Sequence, residues 1–193
     1  MAEDGLRSIQ FNSELAQSCG DELRHAIQTF EPLPFDAGEG SAAWLRSCLQ
    51  TANVPVQTEL IVREDDPSRL LGFYALRPLA FNTLATDDQA ILDVTLLSAD
   101  EPRHGNPQPG TLIELIARST GTERGFGEHL LTYAIARAID NDTVAVLIEP
   151  DNEKTRAHFR ERYYFREFDE PADPGVVRML WHPVHHAVAN WPS

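Results

Sequence analysis

Residues 111–131 read TLIELIARSTGTERGFGEHLL, and the interpretation of this stretch decides the fold. TLIELIARS (111–119) is a nearly continuous apolar run of strand length, which suits a central strand covered on both faces. From Gly125 to Asp140, Phe126, Leu130, Leu131, Ala134, Ile135, Ala138 and Ile139 make a broad helical stripe. Between them lies a short loop with glycines. A helix start offers free backbone N–H groups and the positive end of a dipole, so this junction suits an anion. Gly125 and Gly127 remove side chains where backbone could approach a phosphate. The plain alternative is a tight strand-to-helix turn. No GxxxxGK[ST] pattern is present, which excludes a P-loop. A dinucleotide fingerprint needs three glycines and a downstream acid and sits early in a domain, whereas this motif lies past residue 120 with only two more parallel-type elements to follow.

Working outward, TVAVLIEP (143–150) reads as a second buried strand, stopped by Pro150. DNEKTRAHFRERY (151–163) opens with capping residues and reads as a helix. YFREF (164–168) and VVRMLW (176–181) read as two last strands. Upstream, residues 1–12 suit a strand and 13–30 a helix interrupted near Gly20. FEPLPFDAGEG (30–40) is loop-like, and Ser41 opens a helix bearing Trp44, Leu45, Cys48 and Leu49. Residues 54–64 alternate as a half-buried strand and 69–78 form its hairpin partner across DDPS. Residues 79–109 are the least legible: AILDVTLL (90–97) suits a short strand or helix, and 101–110 a loop. The expectation is one α/β domain over 1–193, a mixed sheet with helices on both faces. Its central strand–helix–strand unit is parallel and right-handed, and the flanking pairs are antiparallel.

Composition narrows the partners. The net charge is −14, and Lys154 is the only lysine among 16 basic residues. Such a surface opposes non-specific binding to nucleic acid or anionic lipid. No apolar run spans a bilayer and the N-terminus lacks a signal-peptide core, so the cytoplasm is expected. Cys19 and Cys48 are expected to be reduced and structural. His182, His185 and His186 cluster without an acidic or Cys partner at ligand spacing, so no metal site is expected.

The series strand, (Q/R)xxGx(G/A) loop, helix, strand, Asn, helix and Gly-Phe pair is the acetyl-CoA region of GNAT acetyltransferases. IELIARSTGTERGFGEHLLTYAIARAI followed by VAVLIEPDNEKTRAHFRERYYF resembles it. FDAGEGSAAWLRSCLQ and LLGFYALRP resemble the upstream arrangement in the GNAT toxins that acetylate aminoacyl-tRNA. The matches cover roughly residues 30–182. The resemblance implies acetyl-CoA as acyl donor and a primary amine as acceptor, an aminoacyl-tRNA in that subgroup. It implies a homodimer and an antitoxin as partners. In the family the cradle strand splays from its parallel neighbour and its backbone pairs with pantetheine, a role falling to Leu115, Ile116 and Ala117. The pyrophosphate falls to Thr122, Glu123, Arg124, Gly125, Phe126 and Gly127, and Asn152 matches the Asn that faces pantetheine.

Three departures stand out. Thr122 replaces Gln or Arg and Glu123 replaces Gly, leaving Arg124 to supply positive charge. Tyr164 replaces the Gly of the Gly-Phe pair ending in Phe165. Arg160 stands where many members have the Tyr that protonates the leaving thiolate. Arginine stays protonated near neutrality, so it could only stabilise the thiolate electrostatically; Tyr163 or Tyr164 is the alternative donor. The reaction also needs a base for the attacking amine. Glu114 is the first candidate, against the reading of a carboxylate paired with a nearby arginine; Glu149 is second. Lys154, Arg156, Arg160, Arg162 and Arg166 make a basic stretch, diluted by Glu153, Glu161 and Glu167. A non-catalytic acyl-CoA-binding or protein-interaction module on the same fold is the rival reading.

Overall fold

The computed structural model describes residues 5–33, 38–81, 108–141, 143, 145–168 and 177–181. Seven strands, β1 (Leu6–Phe11), β2 (Gln57–Arg63), β3 (Leu70–Phe81), β4 (Gln108–Arg118), β5 (Ala145–Ile148), β6 (Arg166–Phe168) and β7 (Arg178–Trp181), form a sheet of order β1-β2-β3-β4-β5-β7-β6. Pairs β1–β2, β2–β3, β5–β7 and β6–β7 are antiparallel, and β4–β5 is parallel. The mixed α/β fold class and the alternation of pairings therefore follow the sequence expectation. The chain forms two compact units, Met1–Arg77 with Glu114–Ile135 and Pro78–Ile113 with Ala136–Ser193. The boundary falls inside β4, between Ile113 and Glu114.

In the first unit, helices α1 (Ser13–Ser18), α2 (Asp21–Gln28) and α3 (Gly38–Thr51) bury Ala16, Leu23, Ile27, Leu45 and Cys48 against Phe11, Leu60, Phe73 and Ala117. Asn12 starts α1 by accepting from the Leu15 amide at 2.8 Å, the capping geometry that favours Asn at this position. Helix α3 begins at Gly38, three residues before the expected Ser41. Helix α4 (Phe126–Ile139) enters this unit at Gly72. A Cβ on Gly72 would lie 2.8 Å from the Ala117 carbonyl oxygen and 3.1 Å from both Leu130 Cδ2 and Phe126 Cε1. Phe73 packs with α1–α3, and successive strand residues face opposite ways, so α4 covers the other side of β3.

Strand β2 corrects one expectation. It is buried on both faces rather than half-buried, with Glu59 5% and Ile61 3% exposed. Strands β1 and β3 flank its edges, and Leu60 and Val62 on one face join the core packed by α1–α3. Ser8 Oγ donates to Glu59 Oε2 at 2.6 Å, so the buried carboxylate has a partner.

In the second unit, Leu112, Ala145, Leu147 and Leu180 form a small core with Leu79. Helix α5 (Glu153–Tyr163) has no fully buried residue. It is held by Phe159, whose ring meets Phe165 edge-on at 5.6 Å. The segment AILDVTLL and the His182, His185 and His186 cluster lie outside the described residues. No helix among the described residues is long and apolar enough to cross a membrane.

Candidate functional site

The site is built on β4. Its first half pairs with β5 from Gly110↔Ala145 to Ile113↔Ile148. Strand β5 stops at Ile148, two residues before Pro150, which has no N–H to extend a ladder. Strand β4 continues five residues further, from Glu114 to Arg118. Beyond it the chain is bracketed on both sides: the Ser119 amide donates to Leu71 O (2.7 Å), the Leu33 amide to Arg118 O (2.9 Å) and the Thr120 amide to Glu31 O (3.0 Å). Arg46 fixes the bracketing segment by donating to Gln28 O at 3.1 Å and Phe30 O at 2.8 Å. Between the β5 pairing and this bracket, Glu114–Ala117 has β3 on one edge and no strand on the other among the described residues. Glu114, Leu115 and Ile116 are half-buried while their neighbours Ile113 and Ala117 are buried. An extended ligand could add to this open edge as a strand does, through backbone hydrogen bonds.

The loop beyond it is shaped by its own hydrogen bonds. The Thr122 amide (3.2 Å) and hydroxyl (2.8 Å) both bind Ser119 O, and the Phe126 amide donates to Glu123 O at 3.2 Å. Arg69 Nη2 donates to Gly121 O at 2.9 Å and pins the loop. Gly125 has φ +96°, a conformation that L side chains rarely adopt. Its carbonyl accepts from the Glu128 amide at 2.9 Å, so Gly125 caps α4. Thr122 and Phe126 thus have engaged amides. The amides of Glu123, Arg124, Gly125 and Gly127 have no backbone acceptor among the described residues. Four such donors stand at the mouth of a 14-residue helix, chemistry that suits an anion. The pyrophosphate of an acyl-CoA fits this donor set. Thr122 and Phe126 contribute shape rather than N–H groups.

Glu114 is engaged. Arg77 grips both its oxygens, Nε to Oε2 at 2.9 Å and Nη2 to Oε1 at 2.6 Å, with the carboxylate side chain 28% exposed. The paired reading of Glu114 is therefore the observed one. Glu149 is likewise paired, with Arg178 Nε at 2.9 Å. Arg160 Nη2 bridges Glu167 at 2.9 Å and Glu153 at 3.3 Å. Asn152 accepts from the Thr155 amide at 2.9 Å and Thr155 Oγ1 at 3.1 Å, so it is the N-cap of α5. Tyr164 terminates α5 in the left-handed region, φ 62° and ψ 27°, and its amide donates to Phe159 O. That is the helix-end conformation for which glycine is favoured, which explains a Gly at this position in the family pattern.

No family model matches the sequence, and no curated protein matches it. Solved structures do. One is a point-mutant AtaT toxin bound to the C-terminus of the antitoxin AtaR and acetyl-CoA, with 13% identity, TM-score 0.60, and coverage of 97% of this chain and 99% of that one. A second is AtaT complexed with acetyl-methionyl-tRNAfMet, with 12% identity, TM-score 0.62, and coverage of 95% and 98%. A third is a KacTA–DNA complex, with 17% identity, TM-score 0.62, and coverage of 95% and 97%. The chain has the GNAT fold.

Within the GNAT fold, the open edge of β4 and the loop before α4 fall on the segments that the sequence pattern marked. Three side chains escaped that pattern. Arg77, at the end of the LLGFYALRP strand, holds Glu114. Arg69 holds the cradle loop. Arg118 lies across the first turn of α4, where a Cβ on Gly127 would be 3.3 Å from its Cδ and Nε. Arg77 and Arg69 are far in sequence from the groups they meet, and Arg118 lies outside the glycine motif, so spacing gave no signal for them.

Proposed function

We propose that this protein is an acyl-CoA-dependent N-acyltransferase that passes acetyl from acetyl-CoA to a primary amine by direct attack. The observation that carries the reading is the unpaired edge Glu114–Ala117 running into the free amides of Glu123, Arg124, Gly125 and Gly127. The donor's amide-bearing arm would add to Leu115, Ile116 and Ala117, and its pyrophosphate would meet the cradle. When bound, acetyl-CoA supplies the activated thioester carbonyl. Glu114, oriented by Arg77, takes the amine proton. Tyr164 returns a proton to the thiolate: a phenol can donate one, whereas Arg160 stays protonated and is already shared by two carboxylates. Tyr164 also holds a strained left-handed backbone, a feature that clusters at functional positions. Asn152 serves the arm through its amide while its oxygen caps α5.

The acceptor to try first is an aminoacyl-tRNA, since a similar fold has been seen with acetyl-methionyl-tRNAfMet. A second copy and an antitoxin are the partners this reading entails, the latter supported by the AtaT complex with the AtaR C-terminus. Against a nucleic-acid acceptor stand the net charge of −14 and the carboxylate partners of Arg156 and Arg160.

The test is calorimetry with acetyl-CoA, then thiol release with aminoacyl-tRNA and a panel of small amines. One-site binding and thiol release on at least one acceptor are expected, with release lowered in Glu114→Gln and Tyr164→Phe. Binding without release on any acceptor favours the non-catalytic module. Failure to bind acetyl-CoA sinks the reading.

A further inference from the structure

Gly127 is placed as though for phosphate approach, yet its neighbour in space is a side chain. Arg118 Cδ and Nε lie 3.3 Å, and Cζ 3.8 Å, from the point where a Gly127 Cβ would stand. The contacts to Cδ and Nε are tighter than ordinary van der Waals contact, so a Cβ at 127 would require the Arg118 side chain to give by a few tenths of an ångström. Arg118 is half-buried at the end of β4, with its carbonyl held by the Leu33 amide. Its side chain leaves a fixed backbone and passes beside Gly127 in the first turn of α4. Thr122, by contrast, has its amide and hydroxyl on Ser119 O, and Arg124 is exposed.

Resting on the acyl-CoA reading above, we propose that Arg118 is the side chain that meets the donor's pyrophosphate, and that residue 127 is glycine to seat it. A guanidinium offers several fixed N–H donors to phosphate oxygens, and such charge-assisted bonds are about twice as strong as neutral ones. Half-burial beside a helix dipole screens Arg118 less than solvent screens Arg124.

The experiment measures equilibrium binding of two probes to the full chain: acetyl-CoA by calorimetry at several salt concentrations, and S-acetylpantetheine, which lacks phosphate, by ligand-observed NMR. Arg118→Ala is expected to weaken acetyl-CoA about tenfold to a hundredfold, to flatten the salt dependence, and to leave S-acetylpantetheine unchanged. Gly127→Ala reproduces the loss by displacing Arg118, and the double variant is no worse than Arg118→Ala alone. Should Arg118→Ala misfold by circular dichroism, Arg118→Lys and Gly127→Ala carry the same comparison. Unchanged acetyl-CoA affinity in Arg118→Ala, equal loss of both probes, or additive losses in the double variant overturns the proposal while wild-type binding keeps the acyl-CoA reading intact. No binding by the wild type overturns both.

Discussion

Gly72→Ala should destabilise the protein, although Gly→Ala usually does the reverse. At a compatible backbone position the change stabilises by about 0.4–1 kcal/mol, because the unfolded chain loses freedom. Gly72 has an ordinary strand conformation, so that gain applies. Opposing it, the new methyl would lie 2.8 Å from Ala117 O and 3.1 Å from Leu130 Cδ2 and Phe126 Cε1. Leu130 and Phe126 are buried at 1% and 9% exposure, so neither swings into solvent. The Ala117 carbonyl is backbone of β4 and cannot withdraw without parting β3 from β4. Overpacking of this kind costs about 2–3 kcal/mol. The steric term wins, leaving about 1–2 kcal/mol of net destabilisation, or roughly 2–8 °C in Tm for a chain of this size. Thermal melts by circular dichroism, with urea titration, measure it. Gly121→Ala is the control: its Cβ meets only the far end of the Arg69 side chain, Nη2 at 3.2 Å, so its Tm should stay level or rise. A Gly72→Ala Tm equal to or above wild type would refute the close approach of β3, β4 and α4 on which the cradle rests.

Tyr164→Gly should be more stable than Tyr164→Ala by about 1 kcal/mol, because both lose the ring but only glycine accepts φ 62° without strain; equal urea midpoints would contradict this. Asn152→Ala should cost about 1 kcal/mol in the ligand-free protein through loss of the α5 cap. Unchanged stability would mean that Asn152 serves a ligand alone. Burial pushes the Cys48 thiol up to about 11, so at pH 8 almost no thiolate forms. Ellman's reagent should leave Cys48 unmodified in the native state and label it in denaturant. Rapid native labelling would contradict its place in the core.

Strands and helices with one clear period were legible from the sequence. The apolar run 111–119, the stripe from Phe126 to Ile139, and the Asn152 cap each declare themselves locally. Strand β2 misled because its alternation hides a carboxylate, Glu59, that becomes buried only once β1 brings Ser8 alongside. The cradle was legible as a glycine loop. Which amides stay free was not, since that depends on turn bonds to Ser119 O and Glu123 O. Arg77, Arg69 and Arg118 were invisible for a related reason: each meets a residue that no local pattern links to it.

Hydrogen exchange with and without acetyl-CoA tests the central claim most directly, because it reads the backbone amides themselves. The account predicts slowed exchange confined chiefly to Glu114–Ala117 and Glu123–Gly127, where unpaired amides gain acceptors. Saturating acetyl-CoA that leaves both segments unprotected, or protects other segments in their place, would contradict it.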